Sequence, residues 1–154
     1  MEIENKIPKS CKVVVIGGGV AGCSTTYHLA KYGWKDTVLL ERDVLTSGTT
    51  WHAAGLIGQL GSSATITKLR NYSLNLYKKL EEETGLSTGL KQNGSLTVAT
   101  TLDRLEELKR QLTFAQRFDI EARQVTNEEI KEIYPLINTE DLVGGVFIKK
   151  DGQA

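Results

Sequence analysis

Apolar residues along this chain gather into short blocks whose spacing changes from one block to the next. Residues 11–16 (CKVVVI) form a nearly unbroken, β-branched run, which predicts a central parallel strand covered on both faces. Glycines stand at 17, 18, 19 and 22, and a helix is predicted over residues 20–32, with Gly33 where a left-handed cap belongs. Residues 37–40 (TVLL) predict a second strand that ends on Glu41. The connection between two such parallel strands should be right-handed. Further on, Ile66, Leu69, Leu76 and Leu80 recur at helical spacing, predicting a helix over residues 65–84 that closes at Gly85. Asn93-Gly94 reads as a tight turn into a strand at residues 95–99. Leu102, Leu105, Leu108, Leu112 and Ala115 mark another amphipathic helix, on which Glu106 and Arg110 have the spacing of a weak ion pair. Thr126 and Glu129 have the spacing of a capping box, opening a short helix that Pro135 stops. Residues 142–148 predict a last strand, and Asp151-Gly152 a last turn.

The first block carries chemistry as well as structure. Gly17-Gly18-Gly19-Val20-Ala21-Gly22 holds G-x-G-x-x-G between a strand and a helix. Gly17 permits the tight turn, Gly19 lets backbone approach a diphosphate, and Gly22 lets helix and strand pack closely. Phosphates there would face the unpaired N–H groups at the positive end of a helix. Each such contact is worth only about 0.3–1 kcal/mol when exposed, so several must act together. Glu41 follows Gly22 by nineteen residues, at the end of the second strand. A carboxylate there accepts from both ribose hydroxyls and repels a 2′-phosphate, which disfavours NADP. The unit therefore reads as a Rossmann-type dinucleotide-binding βαβ, and by itself it does not separate NAD from FAD.

Residues 43–63 break the pattern. They are rich in Gly, Ser, Thr and Ala around Trp51 and His52, have no period, and run longer than most simple connections. The fold class that follows is α/β. Residues 9–64 are expected to hold the N-terminal part of the dinucleotide-binding domain, and residues 65–154 a helical connection with a further α+β part.

Composition narrows the classes further. Nineteen Lys and Arg balance nineteen Asp and Glu, so no overall field favours nucleic acid or an anionic membrane. The longest aliphatic run is far too short to span a bilayer. Residues 1–10 carry two Glu and two Lys and no apolar stretch, unlike a signal or transit peptide, so a cytoplasmic location is expected. Cys11 and Cys23 have no metal or redox spacing and read as reduced, buried thiols. No metal-ligand set or Ser-His-Asp arrangement can be assembled from two cysteines and two histidines. His28, inside the first helix, reads as a structural residue. Lys78-Lys79 and Glu81-Glu82-Glu83 read as a solvated helix face.

From Lys9 onward the chain resembles the dimethylglycine and sarcosine dehydrogenase family of D-amino-acid-oxidase-like flavoproteins. The likeness runs through the glycine loop, LLER, NLYKKLEEETG, NGSLTVATT, DLVGGVF and KKDGQA, and is most specific at SGTTWHAAGL, residues 47–56. The resemblance implies FAD, making residues 9–64 the N-terminal part of an FAD-binding domain and residues 65–154 a helical connection with an incomplete substrate domain. It places Gly17, Gly19, Val20, Ala21 and Gly22 at the diphosphate and Glu41 and Arg42 toward the adenosine. Gly48, Thr49, Thr50, Trp51, His52, Ala53, Ala54, Gly55 and Leu56 would lie on the flavin side. His52 would carry FAD covalently through the flavin's 8α carbon, a role that suits a neutral, nucleophilic imidazole. Alternatives for single residues are plain: Arg42 as a solvated charge, Thr49 and Thr50 as turn residues, Trp51 as core filling.

The reaction so implied is oxidation of an N-methylated glycine, such as dimethylglycine or sarcosine, by hydride transfer from the N-methyl carbon to flavin. Water would then release formaldehyde, or a folate would capture the carbon. Electrons would pass to an electron-transfer flavoprotein or oxygen, and a processed eukaryotic form would sit in the mitochondrial matrix. No general base is assigned. Relatives continue past the end of this chain with more of the FAD sheet, the substrate pocket and a tetrahydrofolate region, so an N-terminal fragment, inactive alone, is expected. Two other functions compete: a non-catalytic regulatory relative, like the regulatory subunit of pyruvate dehydrogenase phosphatase, and an NAD-dependent dehydrogenase. His52 is the discriminator, since the regulatory segment departs from Trp-His there; flavin-like absorbance would exclude the NAD enzyme.

Overall fold

A computed structural model describes residues 8–154, so the reading of residues 1–10 as no targeting peptide falls mostly outside the described residues. The chain forms two compact units, the first ending at Ala54 and the second beginning at Gly55. In the first, β1 (Val13–Ile16) and β2 (Thr37–Leu40) pair in parallel, Val13 opposite Thr37 and Ile16 opposite Leu40. Between them runs α1 (Val20–Lys31). It stops where Gly33 turns to φ +86° and returns its N–H to the Ala30 carbonyl, as the glycine's position predicts. Strand β1 starts two residues later than its apolar run. The Lys12 N–H donates instead to Asp36, at both its backbone carbonyl and its carboxylate.

The second unit opens on β3 (Leu56–Ile57), followed by α2 (Ala64–Thr84). Ser63 caps α2 by accepting from the Ile66 N–H, and Gly85 ends it in the left-handed conformation. Three antiparallel strands then make a sheet in the order β4 (Ser95–Ala99), β6 (Gly144–Ile148), β5 (Ala122–Val125). The core lies on both faces of that sheet. Leu105, Leu108 and Ala115 of α3 (Leu102–Gln116) pack with Val146 and Ile148 on one side. Ile130 of α4 (Asn127–Ile133) packs with Val125 and Leu142 on the other. The capping box of α4 is complete: Thr126 accepts from the Glu129 N–H at 3.3 Å, and Glu129 accepts from the Thr126 N–H at 2.9 Å.

Several details depart from the sequence expectations. Strand β5 has no counterpart among them, and the final predicted turn holds instead a short strand, β7 (Gly152–Gln153), antiparallel to β3. Asp151 is buried beside that pair, accepting from the Gln59 N–H at 2.8 Å and the Ser95 hydroxyl at 2.6 Å. Cys11 and Cys23 are free thiols but only half-buried. Trp51 is 79% exposed, so it fills no core. Glu81 is no merely solvated charge: it accepts from the Thr88 N–H at 2.7 Å and from the Ser87 and Thr88 hydroxyls, folding the chain back after α2. Those bonds, led by the Thr88 N–H, hold its carboxyl below the ordinary glutamate range.

Candidate dinucleotide site

In the first unit the glycine loop turns directly from β1 into α1. Gly17 has φ +100°, a conformation that strains any residue with a Cβ, and its N–H donates to the Leu40 carbonyl at 2.8 Å. Gly22 sits where a Cβ would fall 1.7 Å from the Gly17 carbonyl oxygen, so helix and strand approach as closely as only glycine allows. Gly19 ends the loop as the N-cap of α1 and offers no side chain to the helix N–H groups. Besides Gly17, two more of the loop's donors are engaged internally. The Gly18 N–H donates to a Glu41 oxygen at 2.6 Å, and the Val20 N–H to the Thr50 hydroxyl at 2.9 Å. Among the described residues, the N–H groups of Gly19, Ala21 and Gly22 make no hydrogen bond. Three unpaired donors at the positive end of a twelve-residue helix are what an anion requires.

The start of the glycine loop borders an open cleft of about 460 Å³. Gly17, Gly19, Glu41, Arg42, Gly48, Thr49 and Thr50 line it, so the glycine loop and the start of the Gly-Thr-Thr segment meet at one cleft. Ile16, Leu40, Asp43, Thr46 and Ser47 line it as well, and sequence reasoning does not single them out. The mark of Thr46 is in its backbone: it is a β-branched residue at φ +68°, and its N–H donates to the Gly18 carbonyl at 2.9 Å. Gly18 occupies a position that the glycine motif treats as variable, yet its amide is where Glu41 attaches. Val20, Ala21 and Gly22 are not among the residues that line the cleft, and the Val20 N–H reaches it only through the Thr50 hydroxyl.

Glu41 accepts three backbone N–H groups, from Gly18 at 2.6 Å, Arg42 at 2.7 Å and Asp43 at 3.2 Å. Led by the Gly18 bond, they hold its carboxyl below the ordinary glutamate range, so it is ionised at neutral pH. After Asp43 the chain runs in successive turns as far as Ala53. The Trp51 N–H donates to the Thr46 and Gly48 carbonyls, His52 to Thr49, and Ala53 to Thr50. His52 is exposed, and its Nδ1 lies 3.0 Å from the Gly48 carbonyl oxygen. A carbonyl only accepts, so the proton sits on Nδ1 and, in the neutral ring, the lone pair is left on Nε2. Trp51, His52, Ala53 and Ala54 are exposed and lie outside the cleft lining, while Gly55 and Leu56 belong to the second unit. His28 bonds the Ser24 carbonyl one turn back and stays a helix-surface residue.

Residues 12–154 match the family described as FAD dependent oxidoreductase. The chain belongs to that family. Human mitochondrial sarcosine dehydrogenase is 46% identical over 147 residues, covering 95% of this chain and 16% of the relative. Rat mitochondrial dimethylglycine dehydrogenase is 43% identical over 141 residues, covering 92% of this chain and 16% of the relative. The mitochondrial pyruvate dehydrogenase phosphatase regulatory subunit of mouse is 40% identical over 145 residues, 94% of this chain and 16% of the relative. Among solved structures, L-proline dehydrogenase from P.horikoshii superposes with a TM-score of 0.89 at 30% identity, over 96% of this chain and 39% of that one. The chain thus spans about a sixth of the length of these curated relatives. As in other FAD-dependent oxidoreductases, the fold is α/β and the cofactor is FAD. The residues present fit that group: open amides at a helix start, glycines where backbone must come close, and an ionised acid at the end of β2. No group of side chains suited to a metal occurs among the described residues, and no helix in them is long and apolar enough to cross a membrane.

Proposed function

We propose that this chain carries the dinucleotide-binding part of an FAD-dependent amine dehydrogenase or oxidase acting on an N-methylated glycine such as sarcosine or dimethylglycine. The observation that carries the proposal is the set of unpaired N–H groups on Gly19, Ala21 and Gly22 beside the cleft that Glu41 lines. Identities of 46% and 43% to sarcosine and dimethylglycine dehydrogenases support the substrate class. In this reading Gly17, Gly19, Val20, Ala21 and Gly22 surround the diphosphate, and Glu41 and Arg42 the adenosine. Residues 48–56 accompany the flavin, whose isoalloxazine supplies the redox chemistry as hydride acceptor. His52 is the covalent anchor, with Nε2 as the bonding atom, because the Gly48 carbonyl holds the proton on Nδ1.

The same reading assigns electrons to an electron-transfer flavoprotein or oxygen, and the released one-carbon unit to water or tetrahydrofolate. Because sarcosine and dimethylglycine dehydrogenases of mammals are mitochondrial, a matrix location is proposed where the protein is imported, and the cytoplasm otherwise. The regulatory alternative is disfavoured by His52, which a purely regulatory relative has no chemical need to keep. The purified full-length protein should be yellow and should reduce an artificial electron acceptor with sarcosine or dimethylglycine. A colourless protein whose cleft binds NAD instead would refute the proposal.

A further inference from the structure

We infer that Glu41 is a positioning residue for the glycine loop: its carboxylate clamps the Gly18 amide and thereby sets the loop for a diphosphate, apart from any contact with ribose. The geometry is specific. One oxygen, Oε2, accepts from Gly18 at 2.6 Å, and the other, Oε1, accepts from Arg42 at 2.7 Å and Asp43 at 3.2 Å. Both oxygens are therefore used as acceptors from backbone. An ionised carboxylate is the one side-chain end of this shape that only accepts, whereas an amide must turn its NH2 toward one of the two sets of N–H groups. Gly18 is also held at its carbonyl, which accepts from the Thr46 N–H at 2.9 Å. A Cβ on Gly18 would lie 2.4 Å from Leu45 and 3.1 Å from the Glu41 Cβ, so the loop is folded tightly onto the end of β2.

The consequence concerns the neighbouring donors. With Gly18 pinned by Glu41 and Val20 by Thr50, the peptide planes between them are fixed, and the open amides of Gly19, Ala21 and Gly22 are presented together. Releasing Gly18 lets the loop sample orientations in which those donors no longer converge, and an anion must then bear the entropy of ordering them. The clamp itself exists without a nucleotide and stands independently of the proposed FAD role; only its effect on binding rests on that role.

Two ligands separate the clamp from a ribose contact. ADP carries both ribose hydroxyls and a diphosphate, whereas 2′,3′-dideoxyadenosine diphosphate carries the diphosphate without the hydroxyls. The test compares Glu41→Gln with the wild-type residue, both in a full-length His52→Ala background freed of flavin so that the site is open, measuring affinity for each compound by calorimetry and Gly18 amide exchange without ligand. The clamp predicts faster Gly18 exchange in Glu41→Gln, with exchange in the middle of α1 unchanged. It also predicts a severalfold loss of affinity for the dideoxy compound as well as for ADP. Glu41→Asp, one methylene shorter, should fail to restore either readout. Unchanged Gly18 protection, or dideoxy binding equal to wild type, overturns the inference and leaves ribose as the only function of Glu41. If the protein with Glu41 in place binds neither compound, the dinucleotide reading fails, and Gly18 exchange alone then decides whether the clamp exists.

Discussion

Gly22 shows most sharply how much of the site rests on single atoms. Adding one methyl group there puts carbon 1.7 Å from the Gly17 carbonyl oxygen, a backbone atom that cannot swing away. Gly22→Ala should therefore push α1 off β1 and lower the unfolding free energy by about 1–3 kcal/mol, the usual range for overpacking; an unchanged denaturation midpoint would show that the contact relaxes freely. Glu41 gives a pH signature at the same scale. Its folded-state pKa lies below the ordinary value, so its ionised form favours the folded state. That stabilisation is fully present above the unfolded-chain pKa and fades as pH falls through the lower folded-state value. The difference in thermal midpoint between wild type and Glu41→Gln should accordingly shrink on acidification from neutrality, and a difference that grows would have the wrong sign. The turn at Gly17, the close packing at Gly22 and the place of Glu41 after β2 were legible in the sequence because backbone geometry within one βαβ unit sets them. Gly18 and Thr46 were not, since hydrogen bonds between a loop and the next strand's end leave no mark on residue type.

At the scale of elements, agreement is best where a helix is bounded by chemistry. Gly33 and Gly85 both adopt positive φ at helix ends, and the Thr126–Glu129 box closes in both directions. Thr126→Ala should lower stability by about 1 kcal/mol by removing the hydroxyl that accepts from the Glu129 N–H, read from urea unfolding; a loss within error would mean that water replaces the cap. Strand β5 is silent in the sequence for a physical reason. Of its residues only Val125 is buried, Arg123 and Gln124 are exposed, and four residues with one buried position show no period. Strands β3 and β7 are two residues each, and they exist through pairing between Ile57 and Gly152, far apart in sequence. Charge pairing on α3 also resolves differently from the expected Glu106–Arg110 pair. Glu106 pairs with Lys109 at 2.6 Å, while the Arg110 Nε reaches the Glu106 carbonyl at 3.4 Å. Both Glu106 and Lys109 are exposed, so the exchange carries little energy either way.

For the whole molecule, each unit is built around its own sequence logic. The first presents a glycine loop, a helix start and an acid around one cleft; the second surrounds a three-stranded antiparallel sheet with helices. Membership in the FAD-dependent oxidoreductases was readable from the sequence because it lies in local motifs, the glycine loop and residues 47–56 above all. The proposed substrate class rests on resemblance alone, because no side chain among the described residues marks an amine pocket. One substitution isolates the covalent role proposed for His52. His52→Ala should leave flavin bound but releasable by acid, with the fold intact by circular dichroism; retention of acid-stable flavin would move the attachment elsewhere.

The most direct measurement is peptide mapping of the acid-precipitated wild-type protein. Trypsin should release residues 43–68 as one peptide, bounded by Arg42 and Lys68, which contains His52 as its only histidine. With FAD bonded to His52, this peptide is yellow and carries the mass of FAD on that residue. Flavin left wholly in the supernatant, or found on a different peptide, would contradict that attachment.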